Sequence, residues 1–145
     1  MDSVKHVYDN ENLLAIIIKS NYSKHGVTFF TENYHSQQLA FMKHPSGRKI
    51  DAHYHNPVHR EVVYTQEVLF IKKGKLRVDF YNTEQVYIES HILEGGDVIL
   101  LVGGGHGFEV WEDIEMIEVK QGPYAGDNDK TRFEHVAEDN IKIVE

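Results

Sequence analysis

Glu67-Val-Leu-Phe-Ile71 and Lys75-Leu-Arg-Val-Asp-Phe-Tyr81, separated by Lys72-Lys-Gly74, decide the fold class. The first run is apolar and rich in strand formers. The second alternates apolar and polar residues, which puts one set of side chains on each face of a strand. Lys72-Lys-Gly74 reads as a turn between two strands. The same pattern extends outward in both directions. Leu13-Leu-Ala-Ile-Ile-Ile18 ends at Ser20-Asn21, Val27-Thr-Phe-Phe30 follows Gly26, and Gln38-Leu-Ala-Phe-Met42 ends at Pro45-Ser-Gly47. Downstream, Val86–Leu93 meets Gly95-Gly96, Val98–Val102 is stopped by Gly103-Gly-Gly105, and Phe108–Trp111 and Glu115–Val119 complete the series. Short strands with regular turn signals predict an all-β antiparallel sandwich or barrel. No long stretch carries helical periodicity, which argues against a parallel α/β fold.

The chain has 145 residues, no cysteine, ten histidines and a formal charge of −8. The length predicts a single domain over 1–145 that can bury a core without staples. It has N-terminal strands over 13–42 and a motif-bearing core over about 45–120. The segment 121–145 is expected to be a loop, an added strand or a tail. The absence of cysteine excludes disulfides, thiol nucleophiles and thiolate metal sites. Residues 112–145 hold ten acids and four bases, so the acidity belongs mainly to the C-terminal part. Phosphate neutralisation needs clustered Lys and Arg, so the expectation is no nucleic-acid partner. The longest apolar run, Leu13–Ile18, is too short to span a bilayer or serve as a signal-peptide core, so the expectation is a cytoplasmic protein with no membrane partner.

The histidines carry the chemistry. His53-Tyr-His55 on a strand would place two imidazoles on one face, able to converge on one ion. Gly47 precedes His53 with five residues between, Glu67 precedes Gly74 with six between, and Gly95 leads through an apolar strand and a glycine turn to His106. In these features the chain resembles the cupin family over about residues 45 to 120. The family's first motif is Gly, five residues, His-x-His, a few residues, Glu, six residues, Gly. Its second is Gly, five residues, Pro-x-Gly, two residues, His. Three departures stand out. Eleven residues (56–66) separate His55 from Glu67, an inserted loop or longer hairpin. Leu101 or Val102 replaces the motif proline, and Val110 stands where the family has asparagine.

The resemblance implies a small antiparallel β-barrel of the double-stranded β-helix (jelly-roll) type. It also implies a metal site of His53, His55, Glu67 and His106. Glu61 is a rival carboxylate, but Val68, not glycine, stands at the spacing that Glu67 satisfies. Three imidazoles and a carboxylate suit one divalent transition metal (Fe, Mn, Ni, Co, Cu or Zn) rather than Ca or Mg. Such an ion acts as a Lewis acid and template for enediol or hydroxy-acid oxygens. No general base is identifiable; His59, Glu61 and Tyr64 are candidates by proximity alone. Arg60, Phe108, Lys120, Gln121 and Tyr124 are candidate substrate contacts, with Lys130 and Arg132 beside them. Phe108 and Val110 share the face of His106, and Glu109 points the other way.

The expected function is metal-assisted oxygenation or isomerisation of a small oxygen-rich metabolite. The alternatives are a non-catalytic small-molecule-binding cupin and a metal-free sugar-nucleotide epimerase or ketoisomerase. A fold alone does not choose among them. Leu13–Ile18, as a β-branched edge, predicts a homodimer.

Overall fold

The computed structural model describes residues 2–145. Its strands are β1 (Val4–Asp9), β2 (Asn12–Ile18), β3 (Gly26–Phe29), β4 (Ala40–Lys43), β5 (Glu67–Tyr81), β6 (Tyr87–Glu94), β7 (Val98–Leu101) and β8 (Gly105–Lys120). The only helical pieces among the described residues are two short 3-10 turns, Gly126–Asp129 and Glu138–Asn140. Among the described residues, no helix is long and apolar enough to cross a membrane. The chain forms two compact units, Met1–Tyr22 with Thr65–Glu145, and Ser23–Tyr64.

The larger unit is one antiparallel sheet in the order β1-β2-β7-β5-β6, with β8 also paired to β5. β5 has fifteen residues and would run about 45 Å if straight. Its two ends cannot lie that far apart. Glu67 pairs with Leu101, and Tyr81 pairs with Gly105. Only Val102, Gly103 and Gly104 join those partners, a reach of about 14 Å. β5 and β8 therefore curl together, and the sheet is a strongly curled half-barrel.

The corner of that curl is Gly74. Register shifts fall on both sides of it, between Ile71 and Leu76. Its φ is +100°, and a Cβ there would overlap the carbonyl oxygen of Asp113 on β8. A bulge with this backbone bends a strand and increases its twist. Here the sequence reading is corrected: Lys72–Gly74 is not a turn between strands but a bulge inside one. β8 is likewise continuous where two strands were expected.

The bulge also changes which residues face inward. Before it, Leu69 and Ile71 are buried; after it, Leu76, Val78 and Phe80 are. Together with Val7, Leu14, Ala15, Ile17, Leu93, Ile99 and Leu101 they form one core cluster. Each large side chain there contributes roughly 1.5–3 kcal/mol of burial. Leu13–Ile18 does not form an edge. β2 lies between β1 and β7, which is why Leu14 to Ile18 are all buried. Among the described residues, the strands of this sheet with a single strand neighbour are β1, β6 and β8.

The smaller unit is built on the β3–β4 hairpin, with Val27 opposite Met42 and Phe29 opposite Ala40. Its loop is tied by Thr31, Gln38 and His35. Thr31 Oγ1 lies 2.8 Å from Gln38 Oε1, and the Gln38 amide donates to the carbonyls of Glu32 and His35. Residues 51–63 carry no strand or helix and are exposed.

Candidate metal centre

The four expected ligands fall into two pairs, one in each unit. In the larger unit Glu67 opens β5 and His106 lies near the start of β8. His106 pairs with Phe80 and Phe108 with Val78, so both follow the core-facing residues of β5. Glu67 alternates with Leu69 and Ile71 onto the same face. The curl brings the pair together, with His106 Nε2 2.8 Å from Glu67 Oε1.

Glu118 completes this cluster. It pairs with Leu69, next to the Glu67–Lys120 pair. The hydrogen bond from His106 is the largest influence on Glu67. Burial opposes it, and hydrogen bonding to Glu118 together with the charges of His106 and Lys120 supports it. The Glu67 carboxyl is held down at about 2. Glu118 moves the other way, because it shares a hydrogen bond with Glu67, is partly desolvated and faces that negative charge. Two adjacent carboxyl groups resist ionising together, so lowering Glu67 goes with raising Glu118. The cations facing Glu118 are Lys120 and Lys130. Sequence reasoning missed Glu118, although its alternation with Met116 and Lys120 was available as a signal.

In the smaller unit His53 and His55 do not sit on a strand, contrary to the expectation. Asp51 to Tyr64 is polar, carries Pro57 and has no ladder partner to order it as sheet. The two rings nevertheless meet edge to face, with centroids 5.5 Å apart. His53 Nδ1 lies 2.8 Å from the carbonyl oxygen of Asp51. A carbonyl oxygen only accepts, so Nδ1 donates there, an arrangement that orients the ring with Nε2 as the outward nitrogen. Donor chemistry therefore fits a divalent transition metal in both pairs. Among the described residues, no three His, Asp or Glu side chains stand together as a metal-holding group.

The other candidates separate clearly. His59, Arg60, Glu61 and Tyr64 are exposed on coil of the smaller unit. Phe108 packs against His106, ring centroids 5.3 Å apart, while Glu109 points away to Arg77 at 2.7 Å, both as the alternation predicts. Gln121 Oε1 accepts the backbone N–H of Gln66, so that contact is structural. Tyr124 is 85% exposed. Lys120 is the candidate that stands beside the Glu67 cluster.

A second polar cluster lies on the opposite face of the sheet. Arg77 and Asp79 are almost fully buried there, with Arg77 Nε and Nη2 donating to the two Asp79 oxygens at 2.8 and 3.0 Å. Ser90 and His135 also bind Asp79, and Glu138 closes on Arg77 at 2.9 Å. Burial pushes the Asp79 carboxyl up, but the bonds from Arg77, Ser90 and His135 outweigh it and hold it below its ordinary value. Every partner needed to keep this buried charge is present, which marks it as structural.

Comparison of the chain with protein-family models, curated proteins and solved structures returns no match.

Proposed function

We propose that this chain is a cupin-type protein that closes His53, His55, Glu67 and His106 on one divalent transition metal and acts on a small oxygen-rich metabolite. The observation that carries the reading is the Glu67–His106 pair, which the curl of the sheet brings to 2.8 Å across the concave face. The adjacent imidazoles of His53 and His55 supply a second pair of the same chemistry. Three imidazoles and a carboxylate select borderline transition metals over Ca and Mg. When bound, such an ion supplies Lewis-acid polarisation of a ligand oxygen.

The remaining roles belong to the chain itself. Phe108 and Val110 give the face of His106 an apolar wall. Lys120 places a cation beside Glu67, which suits an anionic or hydroxylated ligand. Glu118, whose carboxyl is pushed up by Glu67 and by partial burial, stands next to the same carboxylate.

Elemental analysis of protein purified without a histidine tag tests the reading. The expected result is one divalent metal per chain, lost in a His53→Ala/His106→Ala double variant. Full occupancy in that variant rejects the ligand set, and a metal-free wild type after exposure to each candidate metal rejects the metal itself.

A further inference from the structure

We infer that Phe133 and His135 are positioning residues for His106, gripping the backbone on either side of it from the opposite face of the sheet. His106 is flanked by Gly105 and Gly107. Neither glycine has a positive φ, so conformation does not demand glycine at these positions. Space does. A Cβ on Gly105 would stand 2.9 Å from Phe133 Cζ, and one on Gly107 would stand 2.8 Å from His135 Cε1. Each missing side chain is replaced by a ring from the C-terminal segment.

Both rings are fixed from below. Phe133 stacks edge to face on Tyr81, centroids 4.9 Å apart, and Tyr81 is the cross-strand partner of Gly105. His135 is hydrogen-bonded to buried Asp79, the cross-strand partner of Gly107. The Val136 N–H donates to the Tyr81 hydroxyl at 3.0 Å. Beyond them Glu138 binds Arg77, the Ser90 N–H donates to the Lys142 carbonyl, and the Val144 N–H donates to the Ser90 carbonyl, both at 2.8 Å. The segment is therefore docked along its length.

The strand needs this grip. Glycines weaken a strand, having no side chain to pack and more freedom to lose. Among the described residues β8 pairs with no strand but β5, so its other edge gives His106 no ladder support. Aromatic rings laid over strand glycines restore the missing packing. The clamp sits on one face of β8 and the imidazole on the other, so Phe133 and His135 act on His106 through backbone alone.

The test uses Phe133→Ala, Phe133→Tyr and His135→Gln in the full chain. Glutamine keeps a donor for Asp79 but removes the ring. Folding is checked by circular dichroism. The readouts are the His106 imidazole NMR signals at fixed pH, without metal, and the affinity for cobalt(II). The cobalt arm rests on the proposed metal site; the NMR arm does not. Phe133→Ala and His135→Gln are expected to move the His106 signals and weaken cobalt binding about tenfold or more, the range for residues that support a metal ligand. Phe133→Tyr is expected to behave as wild type. Unchanged His106 signals in a folded His135→Gln variant overturn the inference, whether or not Phe133→Ala folds. A wild type that ignores cobalt rejects the metal site, and the NMR arm still decides the clamp.

Discussion

His106 Nε2 lies 2.8 Å from Glu67 Oε1, although the strand register puts the two residues at opposite ends of the same ladder. Glu67 opens β5, whereas His106 pairs with Phe80 near its close. The contact is a clasp between the ends of a curled ribbon, and it exists because β5 bends at Gly74. The candidate site is thus a product of the fold's main distortion.

That dependence makes Gly74 a sensitive position. Gly74→Ala adds left-handed strain and drives a Cβ into the Asp113 carbonyl. The expected loss is at least about 3 kcal/mol, or failure to fold. Gly47 shares the strained backbone at φ +89° but has nothing within 4 Å. Gly47→Ala is expected to cost only about 1–2 kcal/mol. Urea melts of the two variants check the contrast, and equal losses would remove the bulge from its role as the corner.

Acid should weaken the metal-free protein through Glu67. Its folded value of about 2 lies below the ordinary 4.5, so the unfolded chain binds this proton more readily. The stability it contributes is complete above 4.5 and is lost as pH falls towards 2. Glu118, raised, acts in the opposite sense and partly offsets the loss. Thermal melts in chelator between these limits are expected to fall more steeply for wild type than for Glu67→Gln. Parallel curves would mean that the clasp does not stabilise the fold.

Glu118→Gln offers Glu67 an amide donor and removes the second carboxyl. The metal-free variant is expected to melt at the same temperature as wild type or a few degrees higher at pH 7. A lower melting temperature would mean that Glu118 supports the cluster through its charge.

The buried cluster behind the site should matter more for stability. Asp79→Ala leaves Arg77, only 2% exposed, without its bidentate partner and frees His135. Breaking such a buried pair costs about 3–5 kcal/mol. Guanidinium unfolding measures it, and a cost below about 1 kcal/mol would mean that Glu109 and Glu138 alone satisfy Arg77.

The legible parts of the sequence were those governed by local rules. Leu13–Ile18, Val27–Phe30, Gln38–Met42 and Val98–Val102 each end at turn residues, and each matches a strand within about two residues. Glycine misled where its role was not local. Gly74 carries the same signal in a bulge as in a turn, so β5 was read as two strands. β1, with Lys5, His6 and Tyr8 among its residues, gave too mixed a pattern to read. Glu67 and His106 entered as ligands implied by the motif resemblance, and what the structure shows of them is an ion pair at 2.8 Å. Glu118 was not anticipated, nor were Arg77, Asp79 and His135, because charged residues on alternating strands look solvated until the faces are known. His53 and His55 show the reverse error: alternation was assumed where no neighbouring strand exists to order it.

Anomalous-difference crystallography at the absorption edge of the bound metal tests the central claim most directly. The account predicts one peak per chain within about 2.0–2.3 Å of the imidazoles of His53, His55 and His106 and a Glu67 oxygen. Crystals grown with the metal that show no such peak, or a peak whose ligands omit either pair, would contradict it.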